Sequence, residues 1–108
     1  PLGALFHLPH GLSNAVLLPA VTRFSIAGAS ERYAKVAEVM GLAAPASPVE
    51  HSCKMLLDGL ESLNADLKVP RLGACLAGRE SEFESALEKM ASDALASGSP
   101  QNNPVVPT

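Results

Sequence analysis

The chain has 108 residues, room for one small domain, and its 47% hydrophobic and 18% charged residues give the composition of a globular protein with few charges. A formal net charge of −3 excludes the electrostatic footprint of a nucleic-acid or anionic-membrane binder. Cys53 and Cys75 are the only cysteines, too few for a disulfide scaffold. The longest apolar run, Ala15 to Val21, contains Pro19 and is too short to span a bilayer, and no basic leader precedes an apolar segment. These features are expected of a cytoplasmic protein with reduced thiols. A first residue that is Pro1 rather than Met points to a fragment of a longer chain.

Periodicity predicts four helices and no strand. The first begins near His10 or Gly11 and carries Leu12, Ala15, Val16, Leu17, Leu18, Val21 and Phe24. Those positions cover every face, so burial all round is expected. Pro19 removes a backbone donor from its interior and is expected to kink it or loosen its last turns. The second helix starts at Ser30 as N-cap, has Tyr33, Val36, Ala37 and Met40 on one stripe and stops at Gly41. Ser47-Pro48-Val49-Glu50 reads as a capping box opening the third, whose stripe is Val49, Cys53, Leu56, Leu57, Leu60 and Leu63. "KVPRLGACLAG" is broken by Pro70 and two glycines and reads as a loop. A second capping box, Ser81 to Glu84, opens the fourth helix with Phe83, Leu87, Met90 and Leu95 inward, and "SGSPQNNPVVPT" reads as extended or irregular.

The chemistry-bearing residues are few. His7 and His10 are three apart, a spacing that serves one metal when both lie on one helical face, but Pro9 disfavours helical geometry at Leu8. His7 therefore falls in the loop leading into the first helix and His10 on its first turn. If a metal binds here, one of the two is the ligand and the others come from elsewhere. His51 reads as a helix-surface residue. Cys53 lies on an apolar stripe and reads as core rather than nucleophile.

The segment "GALFHLPHGLSNAVLLPAVTRF" closely resembles the signature region of the iron-containing alcohol dehydrogenase family, through Pro9-His10-Gly11, Asn14-Ala15 and Leu17-Leu18-Pro19. "RYAKVAEVMG", "VPRLGACLAG" and "DALASGSPQNNPVVPT" are similar to later segments of the same family, so the resemblance covers nearly the whole chain. It implies an all-α fold: a helical bundle like the C-terminal domain of the dehydroquinate synthase-like, iron-containing alcohol dehydrogenase fold. Residues 1–108 would be part of that domain, without the N-terminal nucleotide-binding α/β domain. It implies His10 as one of four ligands to Fe(II) or Zn(II), the other three lying on preceding segments, and His7 on the substrate side or behind the ligands. It implies oxidation of a small alcohol to an aldehyde or ketone with NAD(P), the metal polarising the alcohol oxygen. Where the family tends to Asn-Pro-Arg, this chain has Asn103-Pro104-Val105.

Two functions follow: a piece of a metal-dependent dehydrogenase that is not catalytic alone, or a stand-alone helical interaction and oligomerisation module. Either way an apolar stripe on the first helix, including Leu12, Val16 and Phe24, is expected to face water in the isolated chain. A homo-oligomer is expected, with that helix and Pro1–Leu8 at the interface.

Overall fold

The computed structural model describes residues 1–108. Its six α-helices are α1 (Leu2–Phe6), α2 (His10–Ser25), α3 (Ser30–Val39), α4 (Val49–Asp66), α5 (Leu72–Cys75) and α6 (Glu80–Ala96), with 3₁₀ turns at Ile26–Gly28 and Ser99–Asn102. No strand forms, and no helix is long and apolar enough to cross a membrane. The four long helices fall where periodicity put them. Two short ones, α1 and α5, are additions, the second within the segment read as a loop.

Helix starts differ from the sequence reading by one residue or two. The N-caps are Ala29, Pro48 and Arg79, none with a side-chain cap bond, rather than Ser30, Ser47 and Ser81. Pro48 has ψ 140°, so it stands outside the helix and leaves Ser47 too far out to reach the first turn. Glu80 and Glu82 in the first turn of α6 favour an N-terminus there through the helix dipole. The stop of α3 is as expected. Gly41 takes φ 75°, its N–H donates to the Glu38 carbonyl at 3.0 Å and that of Leu42 to Ala37 at 2.9 Å, a Schellman ending. Leu42 then packs against α4 where Gly59 leaves room; a Cβ there would lie 2.6 Å from Leu42 Cδ1.

The core is two small clusters. Leu2, Phe6, Leu76 and Met90 join α1, the end of α5 and α6, with Leu72 and Phe83 alongside. Arg79 fastens this cluster: its guanidinium stacks 4.7 Å from the Phe6 ring centroid and donates to the carbonyls of Phe6 (3.3 Å) and Leu5 (3.4 Å), which α1 leaves unpaired. Ala37, Leu56 and Leu60 join α3 to α4, with Tyr33 and Leu42 alongside. Several residues expected inward face solvent instead: Val36 on α3 and Met40 at its C-cap, Val49 and Leu63 on α4, Leu87 and Leu95 on α6.

The expectation that α2 is buried all round is overturned. Its buried residues are Ser13, Thr22 and Ser25, while Leu17, Leu18, Val21 and Phe24 are exposed. Leu12, Ala15, Val16 and Pro19 are half-buried, so of the stripe expected to face water only Phe24 is exposed. The helix is continuous across Pro19, and the carbonyl of Ala15, which a residue with an N–H at position 19 would have engaged, accepts from Asn64 Nδ2 of α4 at 2.8 Å. An exposed Arg23–Glu61 pair at 3.1 Å spans the same two helices. The C-terminal segment is strapped back onto the end of α2. Ser25 Oγ donates to Asn103 Oδ1 at 3.0 Å, and Gly28 admits the Pro104 carbonyl where a Cβ would approach to 2.2 Å.

Candidate metal-ligand and substrate cleft

Pro9, with φ −54° and ψ 140°, holds the chain extended just before α2, so His10 becomes the first helical residue. Its side chain is exposed, and one turn on, Asn14 Nδ2 lies 3.2 Å from Nε2. With the amide nitrogen donating, Nε2 accepts, so its one lone pair is engaged by Asn14 and a metal at Nε2 would displace that contact.

His10 stands on the wall of a cleft of about 630 Å³ between α1, α2 and α6. The walls are mostly apolar, from Leu2, Leu8, Leu17, Phe83 and Met90, and the polar groups come from one face of α2: His10, Ser13 and Asn14. Ser13 Oγ is buried without a hydrogen-bond partner. A largely apolar hollow with a few convergent polar groups suits a small organic molecule better than a charged one.

The other candidates lie apart. His7 sits between α1 and α2 with φ 56°, exposed and outside the cleft lining. His51 is exposed on the first turn of α4. Cys53 is buried, and its thiol donates to the Ser30 carbonyl at 3.3 Å; burial pushes that thiol above its ordinary range and disfavours a nucleophilic thiolate. Both cysteines are free. No group of three or more His, Cys, Asp or Glu side chains converges anywhere in the chain. A divalent centre takes three or four protein ligands, so these residues do not build one alone; His10 offers a single donor. Asn14 enters the sequence reading only as part of the Asn14-Ala15 motif; its position four residues after His10, on the same helical face, is the signal for its contact with that side chain.

The helical fold and the histidine at the head of α2 define a class. The chain belongs to the iron-containing alcohol dehydrogenase family, whose C-terminal domain matches it over residues 1–108. It is 33% identical over 103 residues to the 1,3-propanediol dehydrogenase of Citrobacter freundii, covering 95% of this chain and 26% of that protein. It is 34% identical over 105 residues to the 1-propanol dehydrogenase of Salmonella typhimurium, covering 95% and 28%. It is 29% identical over 101 residues to the lactaldehyde reductase of Escherichia coli, covering 94% and 26%. The chain thus spans about a quarter of the length of these curated relatives.

Proposed function

We propose that this chain is the helical, cleft-forming part of an NAD(P)-linked alcohol dehydrogenase, that His10 is its contribution to a divalent metal centre, and that it does not catalyse alone. Residues 1–108 would be part of the C-terminal domain of such an enzyme, the nucleotide-binding α/β domain lying outside them. One observation carries the reading: in a chain that matches the family throughout, the exposed histidine of Pro9-His10-Gly11 stands on the wall of an apolar cleft. The named activities of the relatives suggest a small alcohol or aldehyde as substrate, and the apolar walls suit its carbon chain. His7, one short loop away, is proposed to stand on the substrate side of the complete site. No Gly-rich strand–loop–helix phosphate site occurs in the sequence, so nicotinamide binding falls outside these residues. With one donor in place of four, no step of the reaction belongs to this chain by itself.

Titration of the purified chain with Zn(II), followed through the imidazole resonances of the three histidines, tests the assignment. His10 should respond first, the metal should be lost on dialysis, and His10→Ala should abolish the response while leaving those of His7 and His51. Stoichiometric metal that survives both dialysis and His10→Ala would overturn it, as would saturable heat on titration with NAD or NADP.

A further inference from the structure

The cleft beside His10 has two walls. One is made by α1, α2 and the residues between them, the other by Leu72 of α5 and by Phe83, Leu87 and Met90 of α6. The apolar cluster that joins the walls, Leu2 and Phe6 with Leu76 and Met90, contains no residue of α2. Hydrogen bonds between the walls come from a single side chain. Arg79, the N-cap residue of α6, donates to the carbonyls of Phe6 and Leu5 at 3.3 and 3.4 Å, and no other hydrogen bond joins residues 1–25 to α5 or α6.

The guanidinium is itself held. Nε and Nη2 both donate to Glu82 Oε2, at 3.2 and 3.1 Å, so the planar fork is fixed on α6 where it reaches α1. What it grips lies close to His10 in the chain. Past Phe6 the backbone turns through His7 at φ 56°, Leu8 rests on the same apolar cluster, and Pro9 at φ −54° and ψ 140° leads into α2. The side-chain hydrogen bonds that tie α2 to other elements begin only at Ala15, with Asn64, and continue at Arg23 and Ser25. The first turn, with His10, has none. Its link to the α6 wall runs through α1.

We infer that Arg79 is a positioning residue of the cleft: through α1 and Pro9 it sets where His10 stands relative to the α6 wall. Arg79 is not among the residues that line the cleft, so it acts at a distance, by fixing the end of α1. The bearing of this placement on metal chemistry rests on the reading of His10 as a ligand. The placement itself does not, and no metal enters its test.

Amide order parameters and residual dipolar couplings of the 108-residue chain provide that test. In the wild type, α2 and α6 should share one alignment tensor, and His10–Asn14 should have order parameters of about 0.85. Arg79→Met removes every donor of the clamp. It should lower the His10–Asn14 values toward about 0.6 and separate the alignment of α2 from that of α6, leaving α3 and α4 unchanged. Glu82→Ala is the milder variant, at an exposed site: it leaves the guanidinium but frees it from α6, and should act in the same direction to a smaller extent. Leu56→Ala, in the α3–α4 cluster, should weaken the fold without loosening His10. Unchanged order at His10–Asn14 in both Arg79→Met and Glu82→Ala would overturn the inference. So would a loss of order that Leu56→Ala reproduces, since general destabilisation would then account for it. A zinc titration in which His10 stays silent would remove the metal reading and leave this one standing.

Discussion

At the scale of single residues, the contact that matters most for α2 joins two positions far apart in sequence. Pro19 lacks an N–H, and Asn64 supplies the missing donor to the Ala15 carbonyl. A half-buried carbonyl left without a partner costs about 1–3 kcal/mol, so Asn64→Leu should destabilise the chain by that order. In a Pro19→Ala background, residue 19 again offers its own N–H, and Asn64→Leu should cost about 1 kcal/mol less. Urea unfolding of the four-member cycle measures the difference, and additive effects would mean that Asn64 acts elsewhere. The sequence announced the proline but not its remedy. Asn64 reads locally as one more polar residue near the end of a helix, and only the crossing of α2 and α4 gives it a task. The start of α2 was legible for the opposite reason, since Pro9 fixes locally where the helix begins.

At the scale of elements, legibility followed length. The 18 residues of α4 carry five turns of periodic signal, and the buried part of its stripe is Cys53, Leu56 and Leu60, as the spacing implied. The ends of that stripe, Val49 and Leu63, face solvent because α3 has only 10 residues and runs about 12 Å shorter than the helix it packs on. Helices α1 and α5, of five and four residues, are too short to show a period. Each exists because tertiary contacts hold it, and for α1 the principal clamp is Arg79. Arg79→Met keeps much of the aliphatic stem but removes the donors to the Leu5 and Phe6 carbonyls and the stacked cation. We expect α1 to open more often, so that chymotryptic cleavage after the buried Phe6 rises about tenfold, while cleavage after the exposed Phe24 serves as the unchanged reference. Equal rates in wild type and variant would show that Leu2 and Phe6 hold α1 without it.

At the scale of the molecule, the apolar run of α2 was legible but its surroundings were not. Composition and periodicity count apolar residues; they do not say whether the covering layer lies within the same 108 residues. Leu17, Leu18, Val21 and Phe24 are exposed, and the two hydrophobic clusters of the fold share no residue: one unites α1, α5 and α6, the other α3 and α4. Helix α2 bridges them through Asn64, the Arg23–Glu61 pair and its contact with α1, without entering either cluster.

That division bears on how the chain opens in time. Where two apolar clusters are joined mainly by polar contacts, each can unfold while the other persists, and a protein of this size loses the single all-or-none transition usual for small domains. Amide hydrogen exchange would then sort the slow protons into two families with separate opening free energies, the interior amides of α3 and α4 in one and those of α6 in the other. Substitution of Leu56 by Ala, within the α3–α4 cluster, should lower the first value by about 2–5 kcal/mol, or to its limit, and barely move the second. If all slow amides shift together, the bridge through α2 makes one cooperative unit of what the packing presents as two.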